Sequence, residues 1–100
     1  MDLKKIKLEV EHLVKKNGWD QAKSSKPQTA KNLAISLAIE TSELLEYYQW
    51  NDIADKELVA GELADIIIFA AQISNVIGVD LDTAVRDKLE YDKKRNWGKE

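Results

Sequence analysis

Two stretches of this chain carry carboxylates where the helical repeat of a packed protein calls for leucine. Glu40 and Glu43 form one pair, Glu62 and Asp65 the other, and an i, i+3 spacing sets both members of a pair on one face of a helix. The rest of each face is apolar. Leu33, Leu37, Leu44 and Tyr47 accompany the first pair, and Leu58, Val59, Ile66, Phe69, Ile73 and Ile77 the second. Taking an unpaired carboxylate out of water is costly, so a fold that buries these faces must give the acids partners. The chain does not give them locally. From Asn32 to Val85 it has ten acids and a single base, Lys56; the other 14 of its 15 Lys and Arg residues lie outside that segment. The missing positive charge is most simply a divalent metal ion, and oxygen-only ligands point to Mg²⁺, with Mn²⁺ as the alternative.

Helical periodicity accounts for nearly all of the remaining sequence and predicts an all-α fold, one domain over residues 1–100. A first helix is expected from Leu3 to Lys16, with Leu3, Ile6, Val10, Leu13 and Val14 on one stripe and Asn17-Gly18 as its stop. A loop from Trp19 to Lys26 and the only proline, Pro27, precede a second helix from about Gln28 to Trp50. A third runs from about Asp55 to Ile77 and closes at Gly78; Asp80 caps a fourth, which extends to about Arg95. Helices two and three are apolar almost all round, which requires burial on several sides. One hundred residues cannot cover that much surface alone, so a second copy is the expected partner.

Composition excludes several function classes. Cysteine is absent, which removes disulfides, zinc–thiolate sites and thiol chemistry. A net charge of -3 offers no general attraction for a nucleic-acid polymer. No Gly-rich phosphate loop, nucleophile elbow or His-rich metal motif occurs, and His12 falls on the polar side of the first helix. No signal-peptide pattern opens the chain and no apolar run approaches the ~20 residues of a membrane span. A cytoplasmic protein without membrane contact is the default expectation.

The fourth helix repeats the oddity of the acids with opposite sign. Leu81, Ala84, Val85 and Leu89 define its expected buried stripe, and Lys88, Asp92 and Arg95 fall on the same stripe. Lysine there either snorkels to water or contacts a ligand. Combined with the acids, the arrangement suits a polyanion held between a metal ion and Lys/Arg, as phosphate groups commonly are. Trp19, Trp50 and Trp97 lie near helix ends, where they serve either as ordinary packing or as stacking platforms for a flat base.

Four segments together resemble a known family. NGWDQ, then NLAISLAIETSELLEYYQW, ELADIIIFAAQI and GVDLDTAVRDKLEYDKKR are similar to the MazG-like all-α nucleoside triphosphate pyrophosphohydrolases, nearest the compact dCTP pyrophosphatase-like group. The likeness covers about Gly18 to Trp97. Its signature, ExxE followed by ExxD, is read here at Glu40-Thr41-Ser42-Glu43 and Glu62-Leu63-Ala64-Asp65. The resemblance implies a four-helix protomer whose long second and third helices pack in a bundle shared between subunits, as a homodimer or homotetramer. It implies Mg²⁺-dependent hydrolysis of a (deoxy)nucleoside triphosphate to the monophosphate and pyrophosphate, with a lean to pyrimidine deoxynucleotides and a role in clearing surplus or non-standard nucleotides. Glu40, Glu43, Glu62 and Asp65 would be metal ligands and catalytic carboxylates, with Glu43 preferred as proton acceptor. Trp19 and Trp50 would line the base pocket, and Lys31, Lys88, Asp92 and Arg95 would complete the substrate site. The chain departs from the family pattern in having Asp92 for a frequent asparagine, Arg95-Asn96-Trp97 for Arg-Tyr-Pro, and Gly61 for the first acid of the third-helix motif.

Two other readings keep the helices without the catalysis. One is a nucleotide- or metal-binding sensor; the other is a helical interaction module whose acids pair with basic residues of a partner protein.

Overall fold

The computed structural model describes residues 2–19 and 27–95, and among them the chain is all-helical. Helix α1 spans Leu3–Lys16, α2 Ala30–Glu46, α3 Lys56–Ile77 and α4 Leu81–Lys94. Local chemistry explains most of these limits. The Asp2 carboxylate accepts from the Lys5 N–H at 2.9 Å and starts α1. Thr29 accepts from the Asn32 N–H at 3.1 Å and starts α2. Asp55 accepts from the N–H groups of Glu57 and Leu58 at 2.8 and 3.3 Å, and Asp80 from Thr83 at 3.2 Å. Each cap satisfies amides that have no carbonyl a turn earlier. Gly78 ends α3 in the left-handed region, at φ 74°, a conformation open to glycine and strained for side chains with a Cβ.

The second helix is shorter than its apolar pattern predicts. It ends at Glu46, not Trp50, because the amides of Tyr47, Tyr48 and Gln49 turn back to carbonyls only three residues earlier, at 3.2, 3.0 and 3.3 Å. This tightened turn exhausts the helix and leaves Trp50 in the connection to α3.

Helix α3 is the centre of the protomer. It packs along α2 and against α1, whereas α4 leans on α1. Val10 of α1, Leu33 of α2 and Ala71 of α3 form the buried apolar core. Polar bonds lock the α1–α3 end. Asn75 Nδ2 donates to the Lys7 carbonyl at 3.1 Å, Lys7 Nζ donates to the Val79 carbonyl at 2.6 Å, and buried Gln72 donates to Gln28 at 2.8 Å.

Two sequence expectations need correction at this level. The stripe of α4 is not buried in a single protomer: Val85 and Leu89 are exposed, because α4 lies against α1 and not along the α2–α3 pair. The outward faces of α2 and α3, where Ile35, Ile39, Ile67 and Val76 are exposed in one protomer, are the surface that a second copy is expected to cover. Finally, α3 is by length and composition long and apolar enough to cross a membrane. Its acids and amides do not prevent this average, because they are interspersed among isoleucines; buried Glu62, Gln72 and Ser74 interrupt its apolar surface.

Candidate metal centre

Packing of α2 along α3 brings the two acid motifs together. One carboxylate oxygen each from Glu40, Glu62 and Asp65 lie within 4.8 Å of one another. Burial is graded across the group: Glu62 is 8% exposed, Glu40 is half-buried and Asp65 opens to solvent. The centre is therefore anchored deep on α3 and accessible at its rim.

Glu43 stands beside this trio and is not one of the three converging carboxylates. Three residues along a helix correspond to a rotation of about 300°, so Glu43 is offset by about 60° from Glu40. It remains half-buried, one turn along α2 from Glu40. Glu46 is exposed at the end of α2.

The electrostatics are unbalanced. Among the described residues the ion pairs are Arg86–Asp82, Lys88–Asp92 and Lys93–Glu90, and none touches the four acids. Oε2 of Glu40 and Oε2 of Glu62 are both shielded from solvent without a hydrogen-bond partner. Carboxylates only accept, so two facing oxygens are satisfied by a shared proton or by a cation. Glu40 accordingly has its pKa raised. Hydrogen bonding to Glu62 is the largest cause, followed by burial and the negative charge of Glu62; the charge of Asp65 adds to this and a hydrogen bond with Glu43 opposes it. Orphaned oxygens, an all-carboxylate donor set and a missing positive charge fit a hard divalent cation.

Tyr47 also belongs to the site, and the sequence reading counted it only as part of an apolar face. Its phenol pKa is raised by burial first, then by the negative charges of Glu62 and Glu43 nearby. The available signal was positional: Tyr47 follows Glu43 by four residues and Glu40 by seven, which keeps all three on one stripe.

The expected substrate residues are less concentrated. Trp50, 85% exposed, stands in the α2–α3 connection, and Trp19 is exposed just beyond α1. Lys31 is exposed in the first turn of α2, about 14 Å along the helix axis from Glu40. Lys88 lies 3.3 Å from Asp92 and 4.8 Å from the Tyr91 ring centre, and Arg95 lies 5.5 Å from the same ring. In one protomer these cations thus gather on α4 around Tyr91. His12 is exposed on α1, as its polar surroundings predict. Lys23, Lys26 and Trp97 lie outside the described residues.

A family model described as the MazG-like family matches residues 35–100, which include both acid pairs and all of α3 and α4. No curated protein matches the chain.

Proposed function

Since the chain belongs to the MazG-like family, whose activity is nucleoside triphosphate pyrophosphohydrolysis, we propose that it cleaves a (deoxy)nucleoside triphosphate to the monophosphate and pyrophosphate in a Mg²⁺-dependent reaction. The observation that carries this reading is the set of converging carboxylates Glu40, Glu62 and Asp65, with two shielded oxygens lacking any donor.

In this reading Glu40, Glu62 and Asp65 hold the metal. Bound there, Mg²⁺ would supply charge neutralisation for the triphosphate and would make a water more acidic. Glu43, next to the trio but outside it, takes the proton from that water. The water oxygen bonds to one phosphorus of the α–β anhydride, the bridging P–O bond breaks, and the group on the other side of that bridge leaves with the electron pair, giving the monophosphate and pyrophosphate. Trp50 offers an exposed face for the base, and stacking tolerates many bases; likeness to the dCTP pyrophosphatase-like group favours pyrimidine deoxynucleotides as first substrates to test. Lys88 and Arg95 on α4 are assigned to the phosphates, with Trp19, Lys31 and Asp92 completing the substrate site. A second copy covers the outward apolar faces of α2 and α3.

The test is a panel of nucleoside and deoxynucleoside triphosphates incubated with Mg²⁺, with and without EDTA, and resolved by ion-exchange chromatography. Monophosphate and pyrophosphate in equal amounts, abolished by EDTA, are expected. Orthophosphate and diphosphate as products, or no turnover on any nucleotide, would overturn the proposal.

A further inference from the structure

A cavity of about 130 Å³ lies between α1, the residues leading into α2 and the second half of α3, and the metal centre does not use it. Its wall includes Val14 and Lys15 of α1, Gln28 ahead of α2, and Gln72 and Asn75 of α3. Gln72 is 6% exposed. Its Nε2 donates to Gln28 Oε1 at 2.8 Å, which turns the amide nitrogen toward α2. Its Oε1 has no donor among the described residues, and it is not among the oxygens shielded from solvent. That oxygen therefore opens onto the cavity as an acceptor.

The cavity is in line with the acids. Gln72 follows Asp65 by seven residues, two helical turns, which places it about 10 Å along the axis and within about 20° of the same line. Asn75, bonded to α1, and Glu62, facing Glu40 of α2, lie on either side of that line. The strip from Asp65 to Gln72 thus runs between the two helices that flank α3, and Asp65 is its solvent-exposed end. A nucleotide laid along it with its phosphates at Asp65 brings the edge of its base to Gln72. Trp19 stands at this end, since its N–H donates at 3.0 Å to the carbonyl of Val14 in the cavity wall. Trp50 stands at the other end of α3, so Trp19 is the tryptophan within reach of a base read by Gln72.

We propose that Gln72 is a specificity-determining residue of the nucleotide site: its Oε1 accepts from the exocyclic amine of the base, and the cavity thereby selects amino bases over keto bases. This rests on the reading of the acid cluster as the site of the phosphates. An amide oxygen only accepts. Cytosine and adenine offer it an N–H where uracil and hypoxanthine carry an oxygen, and two acceptors facing each other in a buried wall leave both unpaired. Stacking alone does not make this distinction, because every base has a face to stack.

The test compares kcat/KM within pairs that differ at that one group, dCTP with dUTP and dATP with dITP. Wild type is expected to favour the amino member of each pair it hydrolyses by about tenfold. Gln72→Leu keeps the size of the side chain and removes the acceptor, so the ratio should fall toward one through a loss on the amino member. A purely structural role for the Gln72–Gln28 bond would instead slow both members alike and leave the ratio unchanged. Should Gln72→Leu not fold, the wild-type enzyme reads the same contact with the deoxynucleoside triphosphate of pyrimidin-2-one, which is cytosine without its amine and should be about tenfold poorer than dCTP. Equal turnover within the pairs, a wild-type ratio in folded Gln72→Leu, or equal use of dCTP and its amine-free analogue would overturn the inference and leave the hydrolysis standing. If wild type hydrolyses no nucleotide, the proposed function itself fails and this inference with it.

Discussion

Glu40 shows how a single side chain reports on the site. Its pKa is raised above the ordinary value of 4.5, first by hydrogen bonding to Glu62, then by burial and by the negative charge of Glu62. The protonated form is thus favoured in the folded state relative to the unfolded chain. Glu40 therefore contributes stability that is full below its unfolded pKa and is lost as pH rises through its folded pKa. Glu40→Gln stays neutral throughout, so without metal its stability relative to wild type should improve as pH rises across that window. Mg²⁺ reverses the trend, because it favours ionised Glu40 in wild type and should raise the wild-type Tm more at the upper end of the window. Thermal unfolding of both proteins over a pH series, with Mg²⁺ and with EDTA, checks this. A stability gap that is flat with pH would show that Glu40 and Glu62 do not share a proton.

At the scale of the element, α3 combines the highest demand on geometry with an intrinsic weakness. It supplies Glu62 and Asp65 and contacts both α1 and α2, yet carries Gly61 within its second turn. Glycine in a helix interior is less favourable than alanine by about 1 kcal/mol. A Cβ built at Gly61 meets no other atom within 4 Å. Gly61→Ala should therefore stabilise the protomer by roughly 0.5–1 kcal/mol, measured by urea denaturation. Destabilisation instead would indicate that another copy packs closely against this position. The contrast with Gly78 is instructive: there φ is 74°, and an added Cβ would meet backbone strain although space is open.

The whole molecule is too extended to be explained by its own contacts. Its radius of gyration is 16.1 Å, against about 13 Å for a compact chain of 100 residues. Ile35 and Ile39 on α2, Ile67 and Val76 on α3, and Val85 and Leu89 on α4 all remain exposed. These faces predict a homo-oligomer burying well over ~1,000 Å². Sedimentation velocity at micromolar concentration should show a dimer or tetramer, and a species of only 11.4 kDa would refute this. Charged replacements at Ile35 and Ile39 should shift the protein toward monomer without reaching the core residue Leu33.

What the sequence determined by itself is the local part. The limits of α1, α3 and α4 follow from Asp2, Asn17, Asp55, Gly78 and Asp80, because capping bonds and a left-handed glycine act within a few residues. The two acid pairs were equally legible, since an apolar stripe interrupted by carboxylates needs only the helical repeat to be recognised. The early end of α2 was not, because Tyr47 and Tyr48 continue an apolar pattern that a tightened turn cuts short. Tertiary structure alone decided that Glu40 joins Glu62 and Asp65 while Glu43 stands beside them. A rotation of one helix against another selects between side chains about 60° apart, and no local signal encodes that rotation. It also decided that Tyr47 lies within the field of the acids, and that α4 lies on α1 with its own apolar stripe uncovered. Periodicity says which face is apolar; what comes to cover it depends on the packing of distant segments.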